Sequence, residues 1–146
     1  MRALNYSKQR QVILDSLHSR KDHPSAEMVY ESVRQVFPNI SLGTVYRNLN
    51  LLADHGMIRR IKGLNDAEHF DGDISRHQHF ICKCCDSVED IFLEADSLLD
   101  SLDDAAQKLC SGKIVSNDIY FFGVCSKCSA ASDNEAINNN VQKIIV

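Results

Sequence analysis

Two pairs of cysteines are the residues of this chain whose types and spacing most clearly indicate chemistry. Cys82 and Cys85 form one Cys-x-x-Cys pair, Cys125 and Cys128 form another, and 39 residues lie between the pairs. Four thiolates in this arrangement suit a tetrahedral zinc ion, and a complete shell of protein ligands leaves no position for water or substrate. The pattern predicts one structural zinc per chain, with a redox dithiol or four unrelated buried thiols as the alternatives.

The other two cysteines do not share this spacing. Cys84 adjoins Cys85, and it is either an exposed spare thiol or an alternative zinc ligand. Cys110 stands at the end of a predicted helix, where we expect a small core residue. The N-terminal residues contain no signal-type apolar stretch, so we expect an unexported protein whose cysteines form no disulfides.

Histidines and aspartates indicate a second, open metal site. His77 and His79 lie two residues apart at the start of a predicted strand, so both imidazoles point to the same face. Asp90 belongs to the next predicted strand, Asp71 ends a predicted hairpin, and His23 precedes a predicted helix. Such ligands suit Fe(II), Mn(II) or Zn(II), although spacing alone singles out only the first pair. No site is assigned to the remaining histidines, which are His18, His55 and His69.

The two halves of the chain carry opposite net charge. Residues 1–63 hold ten Lys/Arg against five Asp/Glu, whereas residues 64–146 hold six against fifteen. A basic segment joined to an acidic one suggests a nucleic-acid-binding module attached to a domain with another role. No run of eighteen apolar residues occurs, so we expect a cytoplasmic protein with no membrane contact.

The basic half has the element order of a winged helix-turn-helix. Apolar residues at helical spacing predict three helices, over residues 7–17, 24–38 and 41–56. Residues 57–70 predict a hairpin, the wing. On the third helix a set of residues projects away from the apolar stripe and could reach a DNA major groove. These candidate DNA contacts are Thr44, Tyr46, Arg47 and Asn50.

The acidic half predicts a helix among strands. The helix is indicated by apolar residues from Ala95 to Leu109, and strand-like runs cover residues 78–82, 88–93 and 113–124. The chain is therefore expected to be an α+β protein. We divide it into a winged-helix domain (1–71), a hinge (72–76), a small α/β zinc-binding domain (77–128) and a polar, Asn-rich tail (129–146).

Four segments together resemble the ferric uptake regulator (Fur) family, and within it the peroxide-sensing repressors. They are residues 23–26 (His-Pro-Ser-Ala), 44–49 (Thr-Val-Tyr-Arg-Asn-Leu), 77–82 (His-Gln-His-Phe-Ile-Cys) and 123–128 (Gly-Val-Cys-Ser-Lys-Cys). The resemblance extends over residues 7–128. It implies a homodimeric, metal-dependent repressor that binds a pseudo-palindromic operator in double-stranded DNA, with zinc on the four cysteines of the dimerisation domain.

The resemblance also implies which residues hold the regulatory metal. Fe(II) or Mn(II) would be held by His23, Asp71, His77, His79 and Asp90. Asp90 favours peroxide sensing, because iron-responsive relatives tend to have Glu there; Fe(II) would react with hydrogen peroxide and oxidise His23 or His77, which ends repression. A repressor that responds to iron or zinc levels is the alternative. An additional metal site found in many of those regulators is not expected, because its positions hold Arg76, Gln78 and Asn117.

Two other classes of function compete with this interpretation. A metallohydrolase would need a general base and a substrate pocket beside the open site, and the spacing places no further carboxylate there, so no enzyme is expected. A thiol-based redox switch would instead use Cys84 or the paired cysteines. The number of reactive thiols that remain while zinc is bound distinguishes that switch from a metal-dependent repressor.

Overall fold

The structure is a computed structural model that describes residues 5–64, 67–94 and 96–131. Three predicted features fall partly outside these ranges. They are the hairpin turn at Asn65 and Asp66, the helical residue Ala95, and the tail beyond residue 131. Within the described ranges, no helix is both long enough and apolar enough to cross a membrane.

Three short helices come first. They are α1 (Lys8–His18), α2 (Ala26–Arg34) and α3 (Leu42–Asp54), and each has a serine at its N-cap. At α3, the Ser41 hydroxyl accepts a hydrogen bond of 3.1 Å from the Thr44 amide, which also donates to the Ser41 carbonyl at 3.0 Å. α2 ends four residues before Pro38, earlier than predicted, because the amides of Val36 and Phe37 both turn back to the Val33 carbonyl.

The wing follows the helices and packs against their apolar core. β1 (Arg59–Lys62) pairs antiparallel with β2 (Glu68–Asp71). Phe70 of β2 is fully buried among the apolar side chains of the three helices, and alternation along the strand puts His69 and Asp71 on the opposite face. The helical core consists of Ile13, Leu14, Leu17, Ala26, Val29, Val33, Ile40, Val45, Leu49, Leu52, Ile58 and Phe70.

A three-stranded sheet forms the second half of the structure. It contains β3 (Gln78–Cys82), β4 (Val88–Ile91) and β5 (Tyr120–Gly123) in the order β4-β3-β5. β3 pairs antiparallel with β4 and parallel with β5, with α4 (Asp96–Leu109) in the crossover that a parallel pair requires. Because parallel strands end at the same edge of a sheet, the Cys-x-x-Cys pair that begins at the end of β3 meets the one that follows β5.

Two expectations for the acidic half are wrong. The strand predicted over 113–124 is reduced to β5, and residues 113–119 form no regular element. Cys110 is exposed and is not a core residue. On α4, Leu99 is buried, but Leu98 and Leu102 are 63% and 50% exposed. Most of the predicted apolar stripe therefore lacks a partner within the described chain.

The cap of α3 gives a test of the fold. Ser41→Ala removes the side-chain acceptor for the Thr44 amide, and we expect it to lower the free energy of unfolding by about 1 kcal/mol. Ser41→Asp supplies another acceptor and should leave stability close to that of the wild type. Urea unfolding followed by circular dichroism measures both variants. Equal loss in the two would contradict the capping role.

Candidate metal centres

The four paired cysteines form one cluster at the edge where β3 and β5 end. Their sulphur atoms all lie within 4.8 Å of one another. Cys82 and Cys125 are buried, Cys128 is partly buried and Cys85 is exposed, with 3.8 Å between the Sγ atoms of Cys85 and Cys125. Four converging sulphurs are the donor set that tetrahedral zinc prefers.

Backbone amides favour the thiolate form of the cluster. Burial raises the pKa of the Cys82 thiol, but hydrogen bonds from the amides of Cys125, Cys85 and Cys84 outweigh it and lower this pKa to about 6. The Cys128 amide lowers the pKa of Cys125 in the same way. The pKa of Cys128 is raised, chiefly because its thiol hydrogen bonds to Cys125. Thiolates bind metals and thiols do not, so the amides prepare the cluster for a cation.

Cys84 lies beside the cluster and outside it. Its side chain is exposed, whereas its backbone amide donates to the Cys82 sulphur at 3.4 Å. Desolvation and the neighbouring Cys82 charge raise the pKa of the Cys84 thiol, which lowers its reactivity at neutral pH. Of the two options for Cys84, the geometry favours the exposed spare thiol.

A second cluster joins the helical part of the structure to the three-stranded sheet. His23 comes from the loop before α2, Asp71 from the end of the wing, His77 and His79 from the start of β3, and Asp90 from β4, opposite His79. One nitrogen or oxygen from each of the five lies within 4.8 Å of all the others. The structure therefore brings together every residue predicted for the open site.

The atoms of this cluster converge on one point. The Asp71 Oδ2 atom lies 3.0 Å from the Nε2 atom of His77 and 3.4 Å from that of His79. The Asp90 Oδ1 atom lies 2.7 Å from His23 Nε2 and 3.2 Å from His77 Nε2. The Nδ1 atom of His77 lies 2.9 Å from the Ser75 carbonyl, to which it donates when Nε2 presents its lone pair to the centre.

Several of these converging atoms are buried without a hydrogen bond. Among the described residues, His23 Nε2, Asp71 Oδ2 and Asp90 Oδ1 have no hydrogen-bond partner. Burial raises the pKa of Asp71, but the His79 imidazole and the Asp73 amide outweigh it and lower this pKa overall. Ionised oxygens and unpaired nitrogens in a buried centre are costly unless a cation binds them, so the set fits a divalent transition metal.

The backbone of His23 has an unusual conformation. Its φ of 46° lies in the left-handed region, which is uncommon for residues other than glycine. Two hydrogen bonds from β2 hold the loop: the Phe70 amide donates to the Pro24 carbonyl at 3.0 Å, and His69 Nδ1 lies 2.9 Å from the His23 carbonyl. No role is predicted for His69 from the sequence. Its position two residues before Asp71, on the same strand face, was the available signal.

The four candidate DNA contacts on α3 have different surroundings. Arg47 is exposed and makes no hydrogen bond or ion pair with another described residue. The Tyr46 hydroxyl donates to Glu27 at 2.7 Å, and Asn50 accepts from Arg60 of the wing at 2.9 Å. Thr44 shares a 2.9 Å hydrogen bond with the Ser41 hydroxyl. Arg47 is thus the one member of this set whose polar atoms are all free.

Residues 2–121 match the Ferric uptake regulator family. The chain belongs to this family. The peroxide-responsive repressor PerR of Staphylococcus epidermidis is 31% identical to it over 120 residues, which cover 82% of this chain and 78% of the relative. This Fur-family chain also shares the fold of two solved structures, which confirms the predicted α+β fold class.

The first of these structures is the peroxide stress regulator of Campylobacter jejuni, with a TM-score of 0.71 and 29% identity over 82% of this chain and 88% of the other. The second is the ferric uptake regulator Fur of Helicobacter pylori, with a TM-score of 0.72 and 26% identity over 86% and 83%. Members of the Fur family are metal-responsive transcriptional regulators and not enzymes. The predicted membership of the family is confirmed.

The Helicobacter pylori protein has three functional metal-binding sites. In this Fur-family chain, the described residues group metal-ligating side chains at two places. At the positions where no additional site is expected from the sequence, Arg76 forms ion pairs of 2.6 Å with Asp100 and 2.9 Å with Asp103. Asn117 donates a hydrogen bond to the same Asp103. These contacts connect α4 to the segments that lead into β3 and β5.

The cysteine cluster gives the second prediction. Cys125→Ser removes one of the two buried sulphurs, so we expect the purified variant to lose the zinc that the wild type retains after dialysis against a weak chelator. Cys110→Ser changes an exposed cysteine outside the cluster and should retain the metal. Elemental analysis per chain measures both. Full zinc occupancy in Cys125→Ser would show that the four-thiolate assignment is wrong.

Proposed function

We propose that this chain is a metal-dependent transcriptional repressor that senses hydrogen peroxide at the cluster of His23, Asp71, His77, His79 and Asp90. The observation that carries the proposal is the origin of these five residues. They are held by the loop before α2, by the wing and by two strands of the sheet, yet their ligand atoms meet at one buried point. A metal bound there must hold the helical part and the sheet together.

This link gives the metal control over DNA binding. We propose the division made from the sequence: a winged-helix domain over 1–71, a hinge over 72–76, a dimerisation and metal-binding domain over 77–128, and a tail over 129–146. Metal binding then favours one orientation of α3 relative to the dimerisation domain. In a two-fold dimer, that orientation fixes the distance between two α3 helices, and a pseudo-palindromic operator requires one such distance.

The proposed homodimer is supported by α4. Leu98, Leu102 and Leu109 lie along one side of this helix, and Leu109 is 91% exposed. Phe121 and Phe122 of β5 are also exposed, at 43% and 53%. Exposed apolar side chains along one side of a helix are typical of a protein interface. A second copy of the chain would cover them, and two recognition helices would then be available for a palindromic site.

The two metals of the proposal have different roles. Zinc on Cys82, Cys85, Cys125 and Cys128 is structural, because four protein sulphurs complete its shell and contribute directly to folding. Fe(II) or Mn(II) at the regulatory cluster suits a mixture of imidazole and carboxylate. Because a repressor acts on the chromosome, we also propose a cytoplasmic location.

The peroxide response is supported by the ligand set and by the relatives. Asp90 is the carboxylate that peroxide sensors have at this position, and the 31% identical relative is named a peroxide-responsive repressor. Fe(II) bound by these five residues would activate hydrogen peroxide, which would give one oxygen atom to a nearby ring while its other oxygen atom would leave as water. His23 and His77 present ring nitrogens to the centre, so either ring is placed to gain an oxygen atom. An oxidised ring no longer fits the point where the five ligand atoms meet. The metal then no longer holds the helical part of the chain against the sheet.

The alternative within the family is a repressor that responds to the level of iron or zinc. The Helicobacter pylori Fur structure is as similar in fold as the Campylobacter jejuni peroxide regulator, with TM-scores of 0.72 and 0.71. In that alternative the same five residues bind metal reversibly and no residue is modified. Oxidation of a histidine therefore separates the two candidates.

The DNA interface gives the third prediction. Arg47→Ala removes the free cation of α3, and we expect the affinity for a DNA fragment selected by the wild-type protein to fall by about 1–3 kcal/mol. Lys108→Ala, which removes one positive charge from exposed α4, is the matched control and should bind normally. Fluorescence anisotropy at several salt concentrations measures both, with metal content checked in parallel. Unchanged affinity of Arg47→Ala at every salt concentration would exclude this residue from the interface.

The regulatory cluster gives the fourth prediction. Low concentrations of hydrogen peroxide should release the Fe(II)-loaded protein from DNA and add one oxygen atom to His23 or His77, as measured by peptide mass spectrometry. The Mn(II)-loaded protein should stay bound, because Mn(II) does not support this reaction.

Two results would contradict peroxide sensing by histidine oxidation. If peroxide affects neither metal form while chelation releases DNA, the chain is a metal-level sensor. If Cys84 or the paired cysteines are oxidised before the histidines, the chain is a thiol switch.

A further inference from the structure

A chain of hydrogen bonds crosses the structure between the two metal clusters. His69 of β2 stands in its centre, with Nδ1 2.9 Å from the His23 carbonyl and Nε2 3.1 Å from the Asp86 carboxylate. The other oxygen of Asp86 accepts the Leu64 amide at 2.7 Å. Asp86 directly follows Cys85, and its own amide donates to the Cys82 carbonyl at 2.9 Å. We call His69 and Asp86 the bridge.

The backbone conformation of Asp86 is stabilised by the contacts of the bridge. Its φ of 59° is in the left-handed region, where glycine is favoured and aspartate is accepted when its side chain has local partners. Those partners are His69 and the Leu64 amide. The wing turn also fits closely, because a Cβ atom at Gly63 would lie 2.6 Å from the Asp86 carboxylate. A side chain at residue 63 would displace either the wing turn or the Asp86 carboxylate.

His69 has one hydrogen-bonding partner at each ring nitrogen. The His23 carbonyl lies beside Nδ1 and the Asp86 carboxylate beside Nε2. A hydrogen bond to a carboxylate is stronger than one between neutral groups. The side chains of His69 and Asp86 are only 14% and 24% exposed, so water screens the pair weakly.

The two ends of the bridge belong to different centres. At one end, the segment Cys82–Asp86 carries half of the cysteine cluster. At the other end, the His23 carbonyl belongs to a residue whose φ of 46° must be maintained by its surroundings. His23 Nδ1 has no hydrogen-bond partner among the described residues, so nothing there orients the ring through that atom. The ring packs edge-on against His79, with 5.2 Å between the ring centroids, and its position also depends on the backbone that the bridge holds.

We propose that His69 and Asp86 are positioning residues, which use the zinc-binding segment as a fixed support to hold His23 in place for the regulatory metal. The proposal rests on the proposed function, because it concerns the same five-residue cluster. The zinc site then has a second role besides folding. It sets the geometry of the one regulatory ligand that comes from the loop before α2.

Three variants test the bridge. Asp86→Gly keeps the left-handed backbone without strain and removes both carboxylate contacts; His69→Leu removes both ring contacts. Asp86→Asn is the conservative variant, because its oxygen can accept the Leu64 amide and its amide group can donate to a neutral His69 that still donates to His23. We expect about tenfold weaker Mn(II) binding in the first two and nearly wild-type binding in the third. The double variant should be no weaker than either single variant.

Two further measurements separate a positioning role from loss of structure. Zinc content and thermal midpoint should match the wild type in Asp86→Asn, and zinc should be retained in all variants. The absorption spectrum of Co(II) bound at the regulatory cluster should change in Asp86→Gly and His69→Leu, because a displaced His23 alters the coordination geometry. Wild-type Mn(II) affinity and an unchanged Co(II) spectrum in both variants would overturn the proposal.

Hydrogen exchange tests the bridge without a regulatory metal. In the zinc-loaded protein, the Phe70 amide that donates to Pro24 should exchange about tenfold faster in Asp86→Gly and His69→Leu, because the loop is released locally. Unchanged exchange in both variants would overturn the proposal even if Mn(II) binding falls. If the wild type binds no Mn(II) or Co(II), the proposed function fails, and the exchange rates still decide whether the bridge holds the loop.

Discussion

Five ligand atoms within 4.8 Å of one another, three of them buried without a hydrogen-bond partner among the described residues, are the constraint on which the rest of the structure depends. Two of the five residues are carboxylates, and burial of carboxylate charge without a counter-charge is costly. A divalent cation cancels it. The helices, the wing and the sheet must therefore all meet at this point for the cation to have its full set of ligands. The chemistry of the site thus constrains how these parts of the fold are arranged.

Strand β3 carries residues of both the five-residue cluster and the cysteine cluster. His79 and Cys82 lie three residues apart on the strand, a distance of about 10 Å. Antiparallel pairing sets Asp90 opposite His79, while parallel pairing sets Gly123, just before the second cysteine pair, opposite Cys82. A shift of one residue in either register would turn ligands to the wrong face of the sheet. The zinc-binding end of β3 is thus a rigid support for the histidines at its start.

Features that depend on neighbouring residues could be predicted from the sequence, and features that depend on distant contacts could not. Serine caps, the wing and the paired cysteines have local signals, and the structure contains each of them. The early end of α2 and the exposure of Cys110 depend on turns and packing that no spacing reveals. The contact between His69 and Asp86 joins residues 17 apart in the chain, and neither belongs to a recognised motif.

The surroundings of α3 have a consequence for how such a protein searches a chromosome. Tyr46 is bonded to an acidic residue, Asn50 to the wing, and Arg47 alone offers an unengaged charge. Since sequence-independent affinity comes mainly from cations that neutralise phosphates, a recognition helix whose one cation is Arg47 gains little from random DNA. Few copies would be retained on the large excess of competing sites. In the proposed homodimer, occupancy of the correct site would then depend mostly on simultaneous contact by both protomers, so a small change in their spacing would have a large effect on the proposed repression.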